Sequence, residues 1–127
     1  MKDGKSETGI DITLEVLCGK WKGVILWELI HHNQLRFNEL RRAIDGNISS
    51  RILSRELRKL IDEGLVERID FGTVSPRVEY RLTPYGQSTY SFLESMNKWG
   101  LVHKKMRTRK PDPSIHEEIL QSHKKAD

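Results

Sequence analysis

Residues 36–83 constrain the fold more than any other part of the chain. They read RFNELRRAIDGNISSRILSRELRKLIDEGLVERIDFGTVSPRVEYRLT. Phe37, Leu40 and Ile44 recur at the spacing of one buried helical stripe. Asp45-Gly46-Asn47 is a turn signal, because Gly and Asn tolerate backbone angles that helices do not use. A second helix is predicted from about Ser49 to Glu63, with Ser49 as its N-cap and Gly64 as its stop. Leu65 to Phe71 then reads as a strand with imperfect alternation. Val78, Tyr80 and Leu82 alternate with Arg77, Glu79 and Arg81 as a half-buried returning strand. Gly72 to Pro76 is the loop between them. Helix, turn, helix and hairpin in this order predict an α+β winged helix-turn-helix, and a duplex DNA partner.

The second helix carries the functional signal. Ile52, Leu53, Leu57, Leu60 and Ile61 build one apolar side. At about 100° per residue, Arg51, Ser54, Arg55 and Arg58 fall on the opposite side. Arginine can bond guanine with two parallel donors, and a serine hydroxyl can serve a base or a phosphate. The candidate base-reading residues are Ser50, Arg51, Ser54 and Arg55. The candidate phosphate or wing contacts are Lys22, Arg41, Ser49, Arg58 and Arg77. The competing reading is an amphipathic helix charged only for solubility. Arg77 has a rival role in a salt bridge to Glu79 or to an acidic side chain of the second helix. Lys22 and Arg41 have a rival role as solvated helix lysine and arginine.

The remainder of the chain positions this unit. Residues 1–10 are expected to form a flexible arm. Residues 11–104 form the DNA-binding and dimerisation domain, and residues 105–127 a basic and polar tail with a short helix near Ser114 to His123. Ile12, Leu14 and Leu17 mark a short helix that Cys18-Gly19 breaks or bends. Trp21, Val24, Ile25, Leu26, Leu29 and Ile30 mark a central core helix. Leu35-Arg36-Phe37 is an extended entry suited to a small third strand. Thr83-Pro84 caps and opens a long C-terminal helix. Its stripe of Tyr85, Thr89, Phe92, Leu93, Met96, Trp99, Gly100 and Val102 is long for a small domain to bury. A second copy of the chain is one outlet, with Ile12, Leu93, Met96 and Trp99 as the dimer contacts; folding back on its own chain is the other.

Composition excludes several classes. The chain has 127 residues and a net charge of +4, a mild excess that permits a polyanionic partner without requiring one. The single cysteine, Cys18, rules out an internal disulfide and a cysteine-based metal cluster. It lies in an apolar segment beside a glycine, which favours a buried thiol over a reactive one. The five histidines show no metal-ligand spacing, and no phosphate-binding glycine loop is present. No catalytic residue, metal or cofactor is expected. No run is long and apolar enough to span a membrane, and MKDGKSETG lacks a signal-peptide core. A cytoplasmic, nucleoid-associated protein is expected.

Several fragments, in order and spacing, resemble the HxlR family of bacterial winged helix regulators, which are similar in architecture to MarR-type dimers. They are LEVLCGKW at 14–21, which resembles the family's GKW signature, LRFNELRR at 35–42, and Ile48-Ser49 with Leu53. LRKL at 57–60, EGLVER at 63–68, PRVEY at 76–80 and Leu82-Thr83 with Gly86 follow. The resemblance covers about residues 11–100 and implies a homodimer held by the N-terminal helices and the long helix after the wing. It implies that Ser49 to Arg58 enters the major groove and that the Gly72 to Arg77 loop touches flanking DNA, each subunit reading half of a near-palindromic operator. Repression is the expected sign of regulation. Several family members sense electrophiles or oxidants through a cysteine before the first helix. Here that position holds Thr8, and Gly9 follows where a proline is usual; Cys18 stands where the family usually has another glycine. The signal therefore stays open among an unidentified small-molecule effector, chemistry at Cys18 and protein level alone. A winged helix adaptor that binds protein instead of specific DNA is the alternative function.

Overall fold

A computed structural model describes residues 7–74, 76–108 and 120–121. The elements run α1 (Gly9–Leu17), α2 (Lys22–His32), β1 (Gln34–Arg36), α3 (Phe37–Ala43), α4 (Ser50–Asp62), β2 (Val66–Asp70), β3 (Val78–Leu82), α5 (Pro84–Gln87) and α6 (Tyr90–Thr108). The chain divides into two compact units, Met1–Tyr90 and Ser91–Asp127. Expectations for residues 109–119 and 122–127, including most of the tail helix, lie outside the described residues.

In the first unit the core is built by α2, α3 and α4. Ile25, Leu26, Leu29, Leu40, Leu53 and Leu60 are fully buried, with Ile44, Ile48, Leu57 and Val66 nearly so. Removing such a side chain from water contributes roughly 1.5–3 kcal/mol. The turn between α3 and α4 uses Gly46 at φ 117° and Asn47 at φ 58°, the left-handed angles that this dipeptide allows. Arg41 of α3 ties that turn down by donating from Nε to the Ile48 carbonyl at 2.9 Å.

Ser49 is the N-cap of α4, its hydroxyl accepting from the Ile52 amide at 3.1 Å. Ser49→Ala is expected to cost about 1 kcal/mol, read as a lower midpoint in urea with an unchanged slope. At the other end Gly64 adopts φ 79°. Its amide bonds the Ile61 carbonyl at 2.9 Å and the Leu65 amide bonds that of Leu60 at 3.0 Å, the two closures of a left-handed helix stop. The chain leaves α4 straight into β2.

The sheet is antiparallel with order β1-β3-β2. The short extended segment after α2 is thus a third strand, as its sequence suggests. Asp70 pairs with Val78, and the Phe71 amide adds a last bond to the Arg77 carbonyl at 3.0 Å before the loop opens. Gly72 turns at φ 89° and donates to Asp70 Oδ1 at 2.8 Å. Val74 is fully exposed at the loop tip.

After β3 the structure departs from the expected single helix. Thr83 caps α5 as its sequence suggests, accepting from the Gly86 amide at 2.9 Å, but α5 ends at Gln87. Ser88 and Thr89 turn their hydroxyls back onto the carbonyls of Tyr85 and Gly86, a local alternative to helix continuation. Tyr85 is therefore on a separate short helix and largely exposed.

α6 carries most of the second unit's described residues. Trp99 stacks on His103 with ring centroids 4.9 Å apart, and Glu94 pairs with Lys98 at 3.1 Å. Phe92, Met96, Trp99, Leu101 and Met106 are exposed, whereas Leu93 is buried. Gly100 lies in the apolar stripe, yet a side chain there would meet nothing within 4 Å in the single chain.

Candidate nucleic-acid interface

The ridge of α4 forms as its periodicity requires. Leu53, Leu57 and Leu60 face inward, and Ser50, Arg51, Ser54, Arg55 and Arg58 are all exposed. Among the described residues Arg51 and Arg58 make no ion pair. Arg55 points its Nε toward Glu56 Oε2 at 3.3 Å, and Lys59 Nζ approaches the same oxygen at 3.4 Å. Sequence reasoning does not single out Glu56. It is nearly buried, and the paired cations on either side are what make a buried carboxylate tolerable.

Beside the ridge, the α3–α4 turn opens an exposed recess of about 660 Å³, lined by Asn38, Arg41, Arg42 and the turn residues 45–48. Arg41 and Arg42 both lie on its wall. Arg41 has a structural bond through Nε, while Arg42 is exposed and unpaired among the described residues.

At the wing base, Arg77 makes the salt bridge to Glu79 that was its rival role, and adds a contact with Phe71. Its Nε lies 3.0 Å from Glu79 Oε2, and its guanidinium carbon sits 4.1 Å from the centre of the Phe71 ring. The side chain nonetheless remains 40% exposed. Sequence reasoning named Glu79 but missed Phe71 and the other groups gathered on that carboxylate. Glu79 also accepts from Gln34 Nε2 at 2.8 Å and lies 3.9 Å from Arg36 Nε. Only the alternation of Arg77, Glu79 and Arg81 could have hinted at this.

Three expectations need correction. Lys22 does not belong with the phosphate contacts. It is only 8% exposed and lines a recess of about 210 Å³ with Glu15, Asp62 and Glu63, toward the far end of α4 from the ridge's start. Cys18 is not a buried thiol; it is exposed at the C-cap of α1. Leu93 is only 4% exposed in the single chain, which leaves it little surface to offer a second copy. Ile12, Met96 and Trp99 are at least half exposed. Thr8 has a structural task of its own. It caps α1 in a reciprocal box with Asp11, accepting from the Asp11 amide at 3.1 Å while its own amide donates to Asp11 Oδ2 at 3.0 Å.

Among the described residues, no group of three or more His, Cys, Asp or Glu is placed to hold a metal, and no helix is long and apolar enough to cross a membrane. The helix-turn-helix, the three-stranded sheet and its hairpin wing define a winged helix of the DNA-binding class. The sequence model of the HxlR-like helix-turn-helix family matches residues 16–108. The chain belongs to that family, a family of DNA-binding transcriptional regulators and not of enzymes. It is 40% identical over 103 residues to the uncharacterized HTH-type transcriptional regulator YtcD of Bacillus subtilis (strain 168), which is 81% of this chain and 80% of YtcD. It is 36% identical over 103 residues to an uncharacterized HTH-type transcriptional regulator of Methanothermobacter thermautotrophicus, 81% of this chain and 77% of that one. The solved structure of the redox regulator HypR in its reduced form superimposes with a TM-score of 0.70 at 36% identity, covering 76% of this chain and 94% of HypR.

Proposed function

We propose that the chain is a sequence-specific transcriptional repressor that acts in the cytoplasm, on the nucleoid, as a homodimer bound to a near-palindromic operator. The observation that carries the reading is the exposed stripe of Ser50, Arg51, Ser54, Arg55 and Arg58 opposite a fully buried leucine face. A helix so held can enter a major groove and present long donors to base edges. Arg51, Ser54 and Arg55, with Ser50 at the helix start, read bases. Arg41, Ser49, Arg58 and Arg77 hold phosphates and set register. The recess beside Arg41 and Arg42 gives a sugar–phosphate strand room to pass the turn.

Dimerisation is supported by the uncovered apolar residues of α1 and α6: Ile10, Ile12 and Leu14 on the first, Met96, Trp99 and Leu101 on the second. Repression is the simplest outcome of a dimer occupying two successive grooves inside a promoter. HypR is a redox regulator. For this chain an effector is a separate proposal, with exposed Cys18 as the thiol available to it.

The test is selection of bound fragments from genomic DNA by the purified full chain. The expected pool is enriched in an inverted repeat with half-site centres about 10 bp apart, or a multiple of that. A pool indistinguishable from the input, together with unchanged anisotropy of labelled duplex at low salt, would favour the protein-binding adaptor.

A further inference from the structure

We propose that Glu79 is a positioning residue for DNA recognition: its carboxylate, set in the central strand, holds the wing arginine Arg77 in the orientation that meets DNA. The inference rests on the DNA-binding reading above. Three separate groups converge on this side chain. Gln34 reaches Oε1 at 2.8 Å, Arg77 reaches Oε2 at 3.0 Å, and Arg36, directly opposite Glu79 in the β1–β3 register, lies 3.9 Å from Oε2. Glu79 is itself only 16% exposed, so its rotamer is set by the sheet and not by solvent. Arg77 is then constrained from two sides, by the carboxylate at Nε and by the Phe71 ring beneath its plane at 4.1 Å. The hairpin's last backbone bond joins the same two residues, Phe71 and Arg77. A long, flexible side chain is thereby ordered before any DNA arrives, which reduces the entropy lost on binding.

A negative charge at a DNA-binding surface ordinarily weakens binding, because it opposes the phosphates. Positioning predicts the opposite sign, and this separates the two. Glu79→Ala and Glu79→Gln remove the same charge, but glutamine keeps an acceptor of the same reach. Operator affinity is measured by anisotropy across a salt series, with melting curves run alongside. Glu79→Ala is expected to bind about threefold to tenfold more weakly than Glu79→Gln. The difference between them is expected to vanish when Arg77→Ala is present in both. A general loss of fold would instead lower affinity in both backgrounds. Should Glu79→Ala melt below the assay temperature, Glu79→Met replaces it, filling similar volume without an acceptor. If Glu79→Ala binds as tightly as Glu79→Gln, or if the gap survives in the Arg77→Ala background, the positioning role is overturned while wild-type binding stands. A wild type that binds no operator overturns both this role and the DNA-binding reading.

Discussion

Gly86→Ala is expected to destabilise the protein by about 3 kcal/mol or more, a fall in melting temperature of roughly 10–25 °C for a domain of this size. A methyl group built on Gly86 would lie 2.0 Å from the Leu65 carbonyl oxygen, 3.0 Å from its carbon and 3.3 Å from the Leu82 Cβ. The nearest obstacle is backbone and not the end of a flexible side chain. That backbone is also poorly free to retreat. The Leu65 carbonyl accepts from the Thr83 amide at 3.1 Å, and the Leu65 amide is spent on the stop of α4 at Leu60. Thr83 adds a bond from its hydroxyl to the Gly64 carbonyl at 2.6 Å. Relief therefore requires moving α5 away from the junction of α4 and β2. Thermal melting followed by circular dichroism checks this, and a midpoint within about 2 °C of wild type would show that the junction yields.

Arg55→Ala is expected to reduce the preference for operator over random DNA by about 10- to 100-fold, the range for one bidentate base contact. Arg55 is a half-exposed side chain, 58% exposed, that pairs with Glu56 at 3.3 Å. Lys59 holds the same carboxylate at 3.4 Å, so Arg55 can turn to a guanine edge without leaving Glu56 unpaired. Arg58→Ala should behave differently. It should weaken binding to both DNAs alike and flatten the salt dependence by about 0.9 in the log–log slope, as expected for one phosphate contact. Titrating both variants against operator and scrambled duplex separates these roles. Equal losses on the two DNAs for Arg55→Ala would remove it from the base-reading set.

Local chemistry made most of the DNA-reading unit legible. Ser49 and Gly64 bound α4 because capping and left-handed closure are decided within a few residues. The leucine spacing fixes which side of α4 turns inward, and the stripe of arginines follows from that alone. The third strand and the Thr83 cap are readable for the same reason. Two of the missed features, the burial of Lys22 and the cluster at Glu79, involve residues distant in sequence. Lys22 sits beside Trp21 in a helix-start context, yet it is buried and shares a recess with Glu15 of α1 and with Asp62 and Glu63 at and just after the end of α4. The end of α5 has no proline or glycine at the break; it is made by Ser88 and Thr89 bonding back to carbonyls, beside a glycine pressed against Leu65. The charge cluster at Glu79 joins Gln34 to a partner 45 residues away, which no local spacing can announce. The apolar company that Cys18 keeps in sequence points to the interior, but the residue falls after α1 has ended, and α1 buries none of its residues.

That last feature bears on how the regulator would respond to its own abundance. α1 is nine residues long, and isolated helices shorter than about 12–15 residues are marginal in water. Its cap at Thr8 favours the first turn but covers no apolar surface. The ordering of α1 is thus tied to whatever buries Ile10, Ile12 and Leu14. With a second copy as that cover, assembly and the folding of α1 become one step, and separated subunits would surrender part of their structure. DNA occupancy would then rise with total protein more steeply than for a preformed dimer, so that modest changes in synthesis or turnover would act as a threshold on the promoter without any ligand.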